Sequence, residues 1–396
     1  MSARGVAYEV VRRVFEQDAY ADRAFRSAAA PLDERDRAFA MQLAYGTVQR
    51  VRPLDRAVEA LAARRVDGLD PPVRAALRLG AYQLIYLEGV APHAAVNETV
   101  ELVRSAGARR AVGLVNAVLR RIAEGGRAFV DGLPETTPNE AALKHSYPDW
   151  VAEAWWRELG PDGARALMRA LNEAPERAFR TPAGIEVVAE IPSAWVEEGR
   201  GWPQSRGSYV AGLAAGVRPG ERVLDLCAAP GGKATQLAAV AGEVVAVELH
   251  PGRARELAEN AGRLGTRNVR VVNADARDLP AELGMFDRAL VDAPCSGLGV
   301  LNARPDLRWR ARPLPDLQLE LVRAASERVR PGGTVTYSVC TIHAEENEAV
   351  VDGLGLAVED VGAEWPEFRH PRRPEFLLTL PHVHGTAGFF VARMVI

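Results

Sequence analysis

Lysine and cysteine are both scarce in this chain. Of 49 basic residues only Lys144 and Lys233 are lysines, and Cys227, Cys295 and Cys340 are the three cysteines. Three unclustered cysteines exclude a disulfide framework and a CxxC metal pattern, so no metal is expected. Free thiols fit a reducing compartment. No apolar run approaches the roughly 18 residues of a membrane span. The first residues, Met1 to Val6, lack the apolar stretch of a secretory signal. The expectation is a cytoplasmic, membrane-free protein, and a monomer.

A length of 396 residues leaves room for two or three domains and a large core. The formal charge of −3 hides an asymmetry. Residues 1–127 hold 20 arginines against 15 acids, a net +5, which leaves −8 for the remainder. A basic N-terminal module is compatible with nucleic-acid binding, although local patches decide that, not net charge.

Residues 1–127 read as helices throughout. Val6, Val10, Val11, Val14 and Phe15 recur at helical spacing, and residues 74–87, 97–103 and 112–122 continue the pattern. Turns are expected at Pro31, Pro53, Pro71-Pro72 and Pro92. An all-α bundle follows from this. Gly125-Gly126 and Pro134 to Pro138 read as a linker. Residues 128–205 then form a linker and a small α/β module, with helices over 148–159 and 163–171 and a strand at 185–188.

From residue 206 to 396 the pattern is alternating α/β. Strands are expected at 222–226, 243–248, 269–273, 288–292 and 333–338, with a last strand over 388–396. Helices intervene at 234–241, 253–264 and 317–329. Short apolar strands alternating with helices imply a parallel, Rossmann-like sheet.

The first strand runs into Cys227-Ala228-Ala229-Pro230-Gly231-Gly232-Lys233 and then a helix. Glycines let backbone approach a ligand there. A P-loop would need Gly at 227, the place of Cys227, and Ser or Thr at 234, where Ala234 stands. GxGxxG is absent as well. The following strands end in Glu248, Asp275 and Asp292. Glu248 suits ribose hydroxyls and Asp275 an adenine amino group. A glycine loop and three acids at successive strand ends fit an adenosine-containing cofactor.

Three segments then carry a specific resemblance. They are Leu226 to Lys233, Asp292-Ala293-Pro294-Cys295-Ser296-Gly297, and Cys340-Thr341-Ile342-His343-Ala344-Glu345-Glu346-Asn347. Together they resemble the signatures of RNA 5-methylcytosine methyltransferases, the NOL1/NOP2/Sun group, over roughly residues 140–396. Leu77 to Leu84, Ala94 to Glu98 and Val115 to Arg121 resemble the RNA-binding NusB fold. A NusB-like module fused to such an enzyme is the arrangement of a bacterial small-subunit (16S) ribosomal RNA methyltransferase. Val339, Ala387 and Gln204 to Ser208 depart from the family pattern.

The resemblance implies S-adenosyl-L-methionine as cofactor, rRNA as partner, Cys340 as nucleophile toward cytosine C6, and Cys295 as the thiol that assists release. A thiolate at C6 makes C5 nucleophilic, splitting one hard step into easier ones. Asp292 is placed to hydrogen-bond the cytosine ring. A helix starting near Ala344 would help lower the pKa of Cys340. Cys227 reads as loop packing. Arg304, Arg308, Trp309, Arg310 and Arg312 read as an RNA contact, since arginines with an aromatic suit phosphates and stacked bases. Arg109-Arg110 and Arg120-Arg121 form a second candidate patch. A transfer-RNA substrate and a non-catalytic RNA-binding assembly or antitermination factor remain alternatives.

Overall fold

The computed structural model describes residues 2–63 and 65–396. The chain divides into two compact units: Met1–Asn172 with Leu301–Arg310, and Glu173–Val300 with Ala311–Ile396. This division differs from the expected blocks 1–127, 128–205 and 206–396. Helix Pro138–His145 and the stretch Asp149–Ala170, which is two helices meeting at a kink where Gly160 takes φ +72°, fall in the helical unit, with Val151, Ala152 and Trp155 buried before the kink and Leu167 and Met168 after it.

The helical unit begins with Ala3–Glu16, Ala21–Ala28, Glu34–Gln49 and Val51–Ala62, followed by Pro71–Tyr86, Pro92–Ser105 and Val112–Asp131. Ser2 and Asp33 cap their helices by accepting from Gly5 N and Asp36 N. The prolines mark helix starts. Pro71 and Pro92 open their helices, and Pro53 lies in the first turn of Val51–Ala62, where no intrahelical N–H is needed. Val6, Val10, Leu43, Leu54, Leu77 and Leu119 form part of one buried core. The linker expected at Gly125-Gly126 is corrected, since both lie inside Val112–Asp131. A Cβ at Gly126 would stand 2.8 Å from Ile122 and 3.1 Å from Ile85, so that glycine permits close helix packing.

In the second unit, β1 (Ala178–Thr181), β2 (Gly184–Val187) and β3 (Trp202–Pro203) make a small antiparallel sheet in the order β2-β1-β3. The larger sheet uses β4 (Arg222–Leu226), β5 (Glu243–Glu248), β6 (Val269–Asn273), β7 (Phe286–Asp292), β8 (Val329–Val339), β9 (Ala357–Glu359), β10 (Leu377–Thr379) and β11 (Phe389–Val395). Among the described residues its order is β10-β11-β8-β7-β4-β5-β6, with β9 also on β11. The pairs joining β4 through β8 are parallel, and those made by β11 are antiparallel.

The fold is therefore an all-α bundle and a Rossmann-like α/β sheet with a small module. The strands expected at 222–226, 243–248 and 269–273 have the observed bounds. Successive strands run outward on opposite sides of β4. Such a reversal leaves a crevice at the carboxyl ends of the strands, where open α/β sheets bind ligands.

Candidate active site

The chain leaves β4 through a tightly bent loop. Cys227 takes φ +61° and Gly231 φ +106°, both left-handed, and the Ala229–Pro230 peptide is cis. Gly231 tolerates this for lack of a Cβ. Helix Gly232–Leu237 follows. Beside the loop lies a cavity of about 320 Å³, lined in part by Cys227, Glu248, His250, Asp275, Pro294 and Leu317. That is the lower end of the volume range of small-molecule sites.

Three expected cofactor residues, Cys227, Glu248 and Asp275, thus line one cavity. The rest of the loop, Ala228 to Lys233, and Asp292 lie outside its lining. Glu248 is only 3% exposed, and its Oε1 accepts from His250 N at 2.9 Å. Asp275 accepts from Arg277 N at 3.0 Å and pairs with the Arg277 guanidinium at 2.8 Å, which lowers its pKa to about 2. Apolar lining from Val247, Leu317 and Leu321 together with the carboxylates of Glu248 and Asp275 fits an adenosine, whose base is flat and whose ribose hydroxyls donate.

Burial pushes the Cys227 thiol up to about 12, helped by the charges of Asp292, Glu248 and Asp225. A raised pKa keeps the thiol protonated at every pH below that value, and the thiolate is the reactive form. Iodoacetamide at pH 8 is expected to leave Cys227 unmodified in the native protein and to alkylate it in urea, as read by peptide mass spectrometry. Equal labelling in both states would contradict this.

A second cluster lies at the end of β7. Lys233 Nζ, buried, bonds Asp292 Oδ2 at 2.7 Å, and Ser338 Oγ donates to Asp292 Oδ1 at 2.6 Å. Asp225, in β4, is wholly buried, and neither of its carboxylate oxygens has a hydrogen-bond partner among the described residues. Burial, reinforced by the charge of Asp292 and opposed by Lys233, raises its pKa well above the usual carboxylate range.

The two other thiols meet. Cys295 Sγ lies 3.4 Å from Cys340 Sγ. The hydrogen bond with Cys340 and burial both push the Cys295 thiol up. A backbone bond knits the two loops together, Gly299 N donating to Cys340 O at 2.9 Å, and Gly388 N, just before β11, donates to Gly299 O at 2.8 Å. A Cβ on Gly299 would collide with the Gly388 carbonyl, so this approach requires glycine. The helix expected near Ala344 is corrected. A short turn, Ala344–Glu346, is followed by the five-residue helix Glu348–Asp352, so no sustained helix dipole begins at Ala344.

The expected RNA contact is also corrected in part. Arg308 is 1% exposed and lies within the helical unit. Its Nη1 donates to Gln49 O and Ser146 O, each at 3.0 Å, and to Asn172 Oδ1 at 3.1 Å. Trp309 Nε1 donates to Val48 O at 2.8 Å, and its ring packs on the helical core. Arg304 pairs with Asp22 at 3.5 Å and Arg310 with Asp18 at 3.2 Å. A buried guanidinium ringed by carbonyls cannot reach a phosphate. Arg312 is exposed.

Four site residues were not singled out from the sequence: Asp225, Ser338, and Glu346 and Gln318, which bond Ser296 N and Pro294 O on either side of Cys295. Asp225 lay inside the apolar run of β4, and an acid flanked by Leu224 and Leu226 was its one signal. Glu346 stood beside Glu345 with nothing to tell the buried acid from the exposed one.

The chain matches two family profiles: "16S rRNA methyltransferase RsmB/F" over residues 213–395 and "NusB family" over residues 1–124. It is 38% identical to the ribosomal RNA small subunit methyltransferase B of Thermus thermophilus, covering 90% of this chain and 85% of that protein. It is 31% identical to the probable ribosomal RNA small subunit methyltransferase B of Synechocystis, covering 100% of this chain and 99% of that protein. The crystal structure of PH0851 shares its fold, with a TM-score of 0.80 at 24% identity, covering 100% of this chain and 99% of that one. With a NusB-type N-terminal region, a methyltransferase sheet and relatives of this identity along nearly the whole chain, the protein belongs to the RsmB/F family of 16S rRNA methyltransferases.

Proposed function

We propose that the protein methylates C5 of one cytosine in small-subunit rRNA, with S-adenosylmethionine as methyl donor and a transient bond from Cys340 to cytosine C6. The observation that carries this reading is the 3.4 Å approach of two thiols from separate loops, beside a carboxylate–lysine pair. Inert cysteines have no need of such an arrangement.

Glu248 and Asp275 would hold the cofactor's ribose and adenine, with the loop from Cys227 to Lys233 against the rest. The orphaned oxygens of Asp225 mark a polar requirement close by. When bound, the cofactor supplies an electrophilic methyl group.

Cys340, as thiolate, adds to C6 and moves electron density onto C5 and the ring. Asp292 hydrogen-bonds the ring where that charge gathers. Lys233 holds Asp292 in place. After methylation the C5 proton must leave before the Cys340–C6 bond can break. Cys295, 3.4 Å from the nucleophile's sulfur, assists that departure. The target base must be unstacked to expose C6. Arg312, the exposed member of its arginine cluster, is retained as an RNA contact, and so are Arg109-Arg110 and Arg120-Arg121.

The test is transfer of labelled methyl groups to unmethylated 16S rRNA and to transfer RNA, with the product base mapped. 5-Methylcytosine at one rRNA position supports the reading. Label in transfer RNA alone, or on another base, would overturn it.

A further inference from the structure

We propose that Glu346 is a positioning residue for the thiol pair, its buried carboxylate fixing the loops of Cys295 and Cys340 at the spacing that two-thiol chemistry requires. The inference rests on the two-thiol reading above and adds the part that sets its geometry.

Glu346 is 0% exposed. A buried carboxylate is costly unless donors surround it. Oε1 accepts from Ser296 N at 3.0 Å, Leu314 N at 3.1 Å and Gln318 Nε2 at 2.9 Å. Ser296 Oγ donates to Oε2. Ser296 directly follows Cys295, and its hydroxyl also lies 2.8 Å from Thr341 Oγ1, directly after Cys340. Gln318 Nε2 adds a bond to Pro294 O at 2.9 Å, directly before Cys295. The backbone carbonyl of Glu346 accepts from buried Tyr337 of β8 at 2.6 Å. One carboxylate therefore gathers the residues on both sides of Cys295, and its own segment carries Cys340.

Every group facing the carboxylate oxygens in this set is a donor. An amide would keep its oxygen at the Oε1 place and set its NH2 against Ser296, whose hydroxyl must then turn to accept and whose N–H, 3.3 Å from Oε2, meets another donor, so the residue that follows Cys295 must draw back. Glu345, next in the chain, has its side chain 67% exposed and pairs with His343 at 3.6 Å. It is the natural control.

Two readings separate positioning from general stability. The first is kinetic. Glu346→Gln is expected to lower kcat by about 100-fold, the usual effect of misplacing a reacting group by about 1 Å, with KM for RNA within about twofold. The second uses the thiols as a ruler. Diamide takes two hydrogens from Cys295 and Cys340, becoming a hydrazine while the two sulfurs join as a disulfide. Disulfide formation is sensitive to geometry, so Glu346→Gln should slow this cross-link at least about tenfold, with Glu345→Gln at the wild-type rate. Peptide mapping identifies the linked pair.

A wild-type cross-linking rate in Glu346→Gln would overturn the proposal, as would a loss of activity residing wholly in KM. The ruler does not depend on turnover. Methyl transfer surviving in Cys340→Ala would refute the two-thiol mechanism and leave the ruler result standing. Should Glu346→Gln not fold, Ser296→Ala removes only the hydroxyl bridge and is read in the same two ways.

Discussion

Cys340→Ala is expected to abolish methyl transfer and form no covalent RNA complex, whereas Cys295→Ala forms the complex and fails to release it. The asymmetry follows from the order of bond changes. Without Cys340 nothing adds to C6, and C5 stays a poor nucleophile. Loss of a covalent nucleophile costs on the order of 10^4-fold or more in kcat. Without Cys295, addition and methylation proceed, and the step that removes the C5 proton stalls. The check is denaturing gel electrophoresis with labelled RNA: a retarded, protease-sensitive band in Cys295→Ala, absent in Cys340→Ala. A band in Cys340→Ala would exchange the two roles. Their 3.4 Å separation makes the comparison stringent, because both sulfurs reach the same region. The hydrogen bond and burial that keep Cys295 protonated fit a thiol that is not the attacking group.

The sheet was legible because its strands are short apolar runs bounded by glycine, proline or acid. The order of strand ends then placed Glu248, Asp275 and Asp292 at one edge. Motif order gave the thiols their place as well, but not their distance. What stayed hidden depends on contacts between distant residues. Glu346 becomes an anchor only because Ser296, Leu314 and Gln318 converge on it from other loops. Gly126 read as a breaker because glycine weakens a helix by about 1 kcal/mol relative to alanine. Contact with Ile85 of a neighbouring helix outweighs that propensity. Arginines at 304, 308 and 310 have the composition of a phosphate contact, and composition alone cannot distinguish a phosphate from a ring of backbone carbonyls.

Arg308 turns that distinction into a measurement with a large expected effect. Its guanidinium also stacks 4.3 Å from the Tyr147 ring centroid and donates from Nη2 toward Leu171 O at 3.5 Å and Leu301 O at 3.4 Å. Burial lowers its pKa to about 10, so it remains charged at neutral pH. Arg308→Met keeps the volume but strands the carbonyls of Gln49 and Ser146 and the side-chain oxygen of Asn172. Each stranded buried acceptor costs about 1–3 kcal/mol, which puts the loss at about 3 kcal/mol or more. At a slope of about 2 kcal/mol per molar urea, the midpoint of the helical circular-dichroism signal falls by about 1.5 M. Arg308→Lys should restore little of this, because one ammonium cannot reproduce a planar fork. The folded variant, below its transition, should bind RNA with an unchanged salt slope. Arg312→Ala, at the exposed position, should lower that slope by about one and leave the urea midpoint in place. The opposite pair of results, a stable Arg308→Met with a reduced salt slope, would return Arg308 to the RNA interface.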